Sequence, residues 1–226
     1  MKRFFRLLKW SILAFFVSSI LGVLYYKWMP VEYTPLMLIR YAQQSHADGH
    51  ASIKHRWVPL DSIAPDMQLA VIASEDQRFC SHHGFDVKAI EQALDEYDRT
   101  GRRRGASTIS QQTAKNVFLW PNSDWLRKGL EAYFTVLIEL FWSKERIIEV
   151  YLNSIEMGPG IYGVAAAAEE HFGTQANKLR RGECALLAAC LPNPLKYNAA
   201  VPSSYLRSRQ RWILKQMKNL GQVSYK

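Results

Sequence analysis

Apolar positions follow two regimes along this chain. From Trp10 to Tyr26, seventeen residues pass without a charge, which is the short end for a helix that crosses a bilayer. Lys2, Arg3, Arg6 and Lys9 precede the run, and Tyr25, Tyr26 and Trp28 close it, as interfacial aromatics close a membrane span. A cleaved signal peptide is the rival reading, but the small-x-small cleavage pattern is missing after the run. The pattern predicts a cytoplasmic basic tail at 1–9, a single-pass anchor at 10–28, and all later residues on the outer face of the membrane. Such a location excludes nucleic acid as a partner and points to substrates delivered at or through the membrane.

Beyond the anchor the apolar spacing becomes helical and intermittent. Helices are predicted over 36–44, 65–79, 87–97, from 105 onward, from Ser123 or Asp124 to Trp142, then over 144–153, 163–172, 181–191 and 203–220. In the helix over 87–97, Ala89, Ile90, Ala93, Leu94 and Tyr97 fall on the inward face. Thr108 with Gln111 fits a capping box. Gly158-Pro159-Gly160 reads as a tight turn, and Gly173 as a helix stop. No long alternating strand pattern, repeat or low-complexity segment occurs. The expected organisation is a juxtamembrane segment at 29–57 followed by one mainly α domain at 58–226.

The formal net charge is +9. The four basic residues ahead of the anchor account for part of it and leave about +5 for the rest, a mild excess suited to phosphate or a membrane surface. Cys80, Cys184 and Cys190 are odd in number and read as small core residues, not a disulfide framework. His46, His50 and His55 are irregularly spaced with no carboxylate at ligand spacing, so they read as surface residues and no metal site is assigned. The stretch Asn116 to Trp125, NVFLWPNSDW, is apolar but broken by Pro121; it reads as an aromatic patch dipping into the bilayer.

Three places carry candidate chemistry. The first is SEDQRFCSHHG, Ser74 to Gly84. Glu75 falls in the last turn of the helix over 65–79, where the negative end of the helix dipole disfavours a carboxylate and favours proton acceptance. A solvated acidic helix end is the plainer reading. The second is Thr108, Gln112 and Lys115, a hydroxyl, an amide and an ammonium on one helix stripe. The third is the helix with Arg127, Lys128, Glu131 and Glu139 among mostly apolar neighbours; charges on a largely buried helix need a reason. Arg102, Arg103 and Arg104 between two glycines read as either a solvated loop or a mobile loop that handles phosphate.

Taken together, EDQRFCSHHG, GASTISQQTAKN, RKGLEAYFTVLIE, KERIIEVYLN and GPGIYGVAAAAEEHFG resemble, in order, the signature motifs of the peptidoglycan glycosyltransferases, and among them the monofunctional biosynthetic branch. The resemblance covers roughly Val58 to Pro202. Thr135 stands where that family usually has Ala, and His171 where Tyr is commoner. The resemblance implies a lysozyme-like, two-lobed, mainly helical domain. It implies a peptidoglycan polymerase that transfers the growing glycan from polyprenyl pyrophosphate to the 4-hydroxyl of lipid II with inversion. Glu75 would be the base and Glu131 the second essential carboxylate. Asp76 would orient Glu75, with Phe79 and His82 shaping the wall around it. Lys115, Arg127 and Lys128 would neutralise the departing pyrophosphate. Thr108, Gln111, Gln112 and Asn116 would hold sugar and phosphate groups, and Glu139, Glu149 and Asn153 would anchor helices. No cofactor is obligatory on this reading, although a divalent cation (Mg or Mn) is compatible with it. Lipid II, the glycan strand and membrane lipid are the implied partners, alongside cell-wall synthesis or division proteins. The chain has no S-x-x-K and no K-T-G, so no transpeptidase activity is expected. A lysozyme-like glycan hydrolase and a non-catalytic cell-wall scaffold are the alternatives.

Overall fold

A computed structural model of the chain describes residues 1–48, 52–101, 105–122 and 124–225, with the side chains of 46–48 left aside. His46, His50 and the arginines at 102–104 therefore lie outside what is described. Ten α-helices are seen among these residues: α1 Lys2–Tyr26, α2 Pro35–Asp48, α3 Pro65–Glu75, α4 Val87–Thr100, α5 Ile109–Phe118, α6 Trp125–Phe141, α7 Lys144–Ser154, α8 Gly163–Phe172, α9 Arg181–Cys190 and α10 Ser204–Leu220.

The helix boundaries follow their caps. Pro65 sits in the first turn of α3, Thr108 and Gln111 form the reciprocal capping box of α5, and Asp124 and Ser143 cap α6 and α7 through their side chains. Gly173 closes α8 in the left-handed conformation. The helix expected to run to Phe79 stops at Glu75, because Asp76 turns out of helical geometry, and a short 3-10 turn takes up Phe79–Ser81.

A small sheet escaped the hydrophobic pattern. β1 (Lys54–His55) pairs in parallel with β3 (Ile161–Tyr162), which pairs antiparallel with β2 (Glu156–Gly158). Strands of two or three residues are too short to display an alternation. The sheet also draws the juxtamembrane segment into the domain: α2 packs on α5, and Leu36 and Met37 bury against Tyr162. The expected boundary at 57/58 is therefore not a boundary between folding units.

One group of helices, α3, α9 and α10, packs together; another joins α5, α6 and α7. A continuous core runs through both, with Ile147, Ile148, Tyr151 and Leu152 of α7, the alanines of α8, and Cys184 and Cys190 fully enclosed. All three cysteines are free, with Cys80 half-buried. His55 is a correction: it is half-buried, and its Nε2 lies 2.9 Å from the Asn153 carbonyl oxygen.

Two apolar surfaces stay uncovered. On α4 much of the face expected to turn inward is exposed: Leu94 by 58%, with Ile90 and Tyr97 beside it; Val87, outside that face, is exposed by 60%. Asp86 fixes the start of this helix by capping Ala89 and pairing with Arg78, but no other described element packs extensively along it. Nor is α6 largely buried. Arg127, Glu131 and Thr135 lie on its buried side, whereas Leu126, Val136 and Leu140 are exposed on the other. Tyr133, on that outer side, meets the anchor: its hydroxyl is 2.7 Å from Ser19 Oγ and its ring 5.5 Å from Phe16. Further along, Trp142 Nε1 donates to the Val23 carbonyl at 2.8 Å and Arg146 donates to that of Tyr26. The outer turns of α1 are thus part of the domain.

In the stretch at 116–125, Leu119 is buried and Phe118 stacks on Phe134 at 4.6 Å, so its first half packs in the core, whereas Trp125 is exposed.

Gly84 (φ 87°) permits the closest approach between the Ser74–Gly84 stretch and α6. A Cβ there would meet Thr135 Cγ2 at 2.8 Å and Glu139 Cγ at 3.1 Å. Gly84→Ala should therefore combine left-handed strain with overpacking and destabilise by about 2 kcal/mol or more. Chemical denaturation of the purified protein checks this; a loss below about 0.5 kcal/mol, the level of a neutral surface change, would contradict it.

Candidate active site

Glu75 ends α3 at the seam between the two helix groups. It is half-exposed and has no cationic partner among the described residues. Gln112 Nε2 donates to one of its oxygens at 3.0 Å and Ser74 Oγ to the other at 3.2 Å. Gln112 is itself oriented, since its Oε1 accepts from Tyr151 Oη at 3.2 Å. Burial pushes the Tyr151 phenol well up, with the charges of Glu75 and Asp76 adding to the effect, so Tyr151 stays a donor. Sequence reasoning missed Tyr151, because a buried tyrosine at core spacing on α7 carries no signal of a polar partner.

The adjacent carboxylate behaves differently. Asp76 is buried, accepts from the Ile109 backbone N–H at 3.1 Å, and lies 2.9 Å from His82 Nε2. It thereby ties the end of α3 to the first turn of α5. Phe79 is fully enclosed and carries the Lys144 ammonium 4.6 Å from its ring centre; Lys144 also pairs with Glu139 at 2.8 Å, and Ser110 donates to the same carboxylate. Asp76, Phe79 and His82 thus support the loop around Glu75 from below.

Thr108 and Gln111 are engaged in the same framework. Thr108 Oγ1 donates to the Gly84 carbonyl at 2.6 Å and accepts from Gln111 N–H, while Gln111 Oε1 accepts from Thr108 N–H at 3.0 Å. These bonds give both residues a structural duty in holding α5 in place. Glu149 accepts from Leu60 N–H, and Asn153 makes reciprocal bonds with the Val58 backbone, as helix anchors do.

The wall beside Glu75 is cationic. Gln112, Lys115 and Asn116 share one face of α5 at i, i+3 and i+4. Glu131, buried on α6, accepts from Arg127 Nη1 at 2.6 Å and from Lys128 Nζ. With both oxygens paired to cations, Glu131 is placed to fix Arg127 and Lys128 in direction. Lys115 has no carboxylate in contact among the described residues. Burial pulls its ammonium below the ordinary lysine range; Glu131 opposes this, and the positive charges of Arg127, Lys128 and Arg40 reinforce it. Asn116 Nδ2 and Arg127 Nε are buried donors with no acceptor among the described residues. A cluster with surplus positive charge and unmet donors fits an oxygen-rich anion.

The donor set for a divalent cation is less suitable. Among the described residues, Asp76, His82 and Asp86 are the three whose ligand atoms gather within 4.8 Å. Asp86 is paired with Arg78 and caps α4, while Asp76 serves His82 and Ile109. These carboxylates are already committed to partners within the protein, so they do not fit a resident Mg or Mn ion.

A helical domain with one apolar helix long enough to cross a membrane and a free carboxylate beside a cationic wall fits an enzyme that handles an anionic substrate. Comparison with known proteins narrows the class. The Transglycosylase family model matches residues 43–218, and the chain belongs to that family, whose domain is lysozyme-like. It is 58% identical over 216 residues to a biosynthetic peptidoglycan transglycosylase of Bacteroides thetaiotaomicron, covering 96% of this chain and 87% of the relative. It is 51% identical to one of Pseudomonas putida W619, over 100% and 94%. It is 54% identical to one of Bdellovibrio bacteriovorus, over 91% and 84%. The family match begins at residue 43, inside α2, as the packing of that helix on α5 would require.

The depressed Lys115 gives a pH test. A lowered pKa in the free protein means that the charged, anion-binding form is complete below that pKa and is lost as pH rises through it, before the ordinary lysine value of 10.5 is reached. Affinity for a prenyl pyrophosphate should hold at neutral pH and fall on the alkaline side. Lys115→Arg, which stays charged, should flatten that limb in a titration calorimetry series. An unchanged limb would remove Lys115 from the anion site.

Proposed function

We propose that this chain polymerises peptidoglycan glycan strands from lipid II at the outer face of the cytoplasmic membrane. The growing glycan on polyprenyl pyrophosphate is the donor, and the 4-hydroxyl of lipid II is the acceptor. Glu75 takes the proton of that hydroxyl as its oxygen bonds to the donor anomeric carbon. The bond from that carbon to the pyrophosphate breaks on the opposite face, so an α-linked donor gives a β-1,4 product. Polyprenyl pyrophosphate departs with the electron pair.

Each residue assignment rests on its surroundings. Glu75 is the unpaired carboxylate at the seam, and the two neutral donors on it leave lone pairs for a proton. Lys115, Arg127 and Lys128 face the developing charge of the leaving group, with Glu131 as their brace. Gln112 and Asn116 meet the sugar and phosphate oxygens. The reading assigns charge neutralisation to side chains and needs no obligatory cofactor. The observation that carries it is the cationic wall with unmet donors beside Glu75: a hydrolase of neutral glycan has no leaving pyrophosphate to neutralise.

The α1 helix is long and apolar enough to cross a membrane, which fits a single-pass anchor. Basic residues ahead of it support an inside N-terminus and an outside, periplasmic, catalytic domain. The uncovered apolar faces of α4 and α6 support contact with membrane lipid; cell-wall synthesis or division proteins would be further partners.

Fluorescent lipid II supplied to the full-length protein tests the reading. Wild type should form polymer that lysozyme cuts to disaccharide units, and Glu75→Gln should lose roughly two to four orders of magnitude in rate. Shortening of added glycan strands without polymer formation would instead indicate a hydrolase. Equal competence of Glu75→Gln in the cell with no activity in either assay would leave a scaffold. A labelled penicillin should not acylate the protein; a stable adduct would overturn the monofunctional assignment.

A further inference from the structure

The positive wall at Lys115 continues past the motifs that define it. Arg40 lies on α2, one turn beyond Leu36 and Met37, whose burial against Tyr162 holds the helix on the domain. Its side chain remains 33% exposed, yet its Nε is buried without a hydrogen-bond partner. The guanidinium stands 3.8 Å from Glu156 Oε2, and Nη1 donates to Gln43 Oε1 at 3.2 Å. A committed guanidinium–carboxylate pair closes to about 2.7–2.9 Å, often through two bonds, so Arg40 is under-engaged. Glu156 is not waiting for it alone: it is buried and accepts from Tyr162 Oη at 3.3 Å. Both Arg40 and Glu156 are within electrostatic reach of Lys115.

The local charge balance makes the same point. Among the described residues, Lys115, Arg127, Lys128 and Arg40 bring four cations against two carboxylates, Glu131 and Glu156. Glu131 holds two of the cations tightly. Glu156 holds Arg40 only at arm's length. A guanidinium with an unused donor, on the helix that packs against α5 and within electrostatic reach of Lys115, offers a contact for a second phosphate group.

We propose that Arg40 is a substrate-positioning residue, supplied by the juxtamembrane helix, whose guanidinium closes onto the pyrophosphate of the lipid-linked substrate while Glu156 holds it ready between turnovers. The proposal rests on the polymerase reading above and extends its anion site to a residue outside the signature motifs. It also gives α2 a role: the helix next to the membrane anchor carries the cation that meets the group next to the lipid chain.

The test compares wild type, Arg40→Gln, Arg40→Lys and Glu156→Gln as full-length proteins in detergent. It reads KM and kcat on lipid II, and binding of farnesyl pyrophosphate and farnesyl monophosphate as probes. Arg40→Gln should raise KM and weaken farnesyl pyrophosphate by about tenfold, the equivalent of one charge-assisted contact. It should change kcat little and affect the monophosphate less than the pyrophosphate. Arg40→Lys should recover part of the loss. Glu156→Gln should act in the opposite direction, tightening the pyrophosphate probe a few-fold, because it frees Arg40 and removes a negative charge. Wild-type KM and probe affinity in Arg40→Gln would overturn the proposal. So would equal weakening by Arg40→Gln and Glu156→Gln, the mark of a structural brace. If Arg40→Gln fails to fold, by its circular dichroism melt, the opposite signs expected for Arg40→Lys and Glu156→Gln decide the matter. Absence of polymer from wild type would refute the polymerase reading itself, whereas the probe affinities report on Arg40 independently.

Discussion

The hydrogen bonds to the Asp76 carboxylate are the constraint on which the rest of the site depends. A buried carboxylate must be satisfied or it costs several kcal/mol. Asp76 is satisfied by His82 and by the backbone N–H of Ile109, at the positive end of α5. The end of one helix is thereby docked on the beginning of another. From that fixed point the rise of α5 acts as a ruler. Gln112, three residues on and about 4.5 Å along the axis, reaches Glu75; Lys115, a further three residues on, opens the cationic wall. Two adjacent acids consequently have opposite duties. Asp76 is consumed by structure so that Glu75, with only neutral donors on it, remains available for a proton.

The cationic wall is a place where local stability yields to function. Buried donors without acceptors and an ammonium depressed by burial and its cationic neighbours are unfavourable in the free protein. They are tolerated because Glu131 and Glu156 offset part of the repulsion and because the surrounding core is well packed. An anion that restored the missing acceptors would bind with the energy that the free protein forgoes. Such preorganisation suits a leaving group whose charge grows during the reaction, since the donors need not move to meet it.

Part of the site around Glu75 was legible from sequence because its signals are local. A capping box and an i, i+4 ion pair depend on residues within one or two turns and stand where spacing put them, whereas the helix carrying Glu75 ends four residues sooner than its pattern suggests. What was not legible depends on neighbours distant in sequence. The α4 pattern gives the right helix but the wrong environment, since amphipathicity records an apolar face without saying what covers it. The strands of β1, β2 and β3 are shorter than any alternation. Tyr151 and Arg40 became visible only when α7 and α2 were brought against α5. Thr108 and Gln111 form the capping box that their spacing predicts, and Thr108 Oγ1 adds a bond to the distant Gly84 carbonyl that spacing does not show.

The two faces of α6 join the membrane to the chemistry. One side carries Arg127, Glu131 and Thr135 into the domain; the other turns Leu126, Val136 and Leu140 outward and lays Tyr133 against the anchor. A helix with ion-paired charge on one side and uncovered apolar surface on the other has to lie where the two environments meet. A lipid-linked pyrophosphate has the same division within one molecule, its chain in the bilayer and its charge at the surface. Because the Val23 and Tyr26 carbonyls of α1 are bonded to Trp142 and Arg146, α6 cannot shift its depth independently of the anchor. On the reading proposed above, the height of the cationic wall above the lipid is therefore set by the anchor itself.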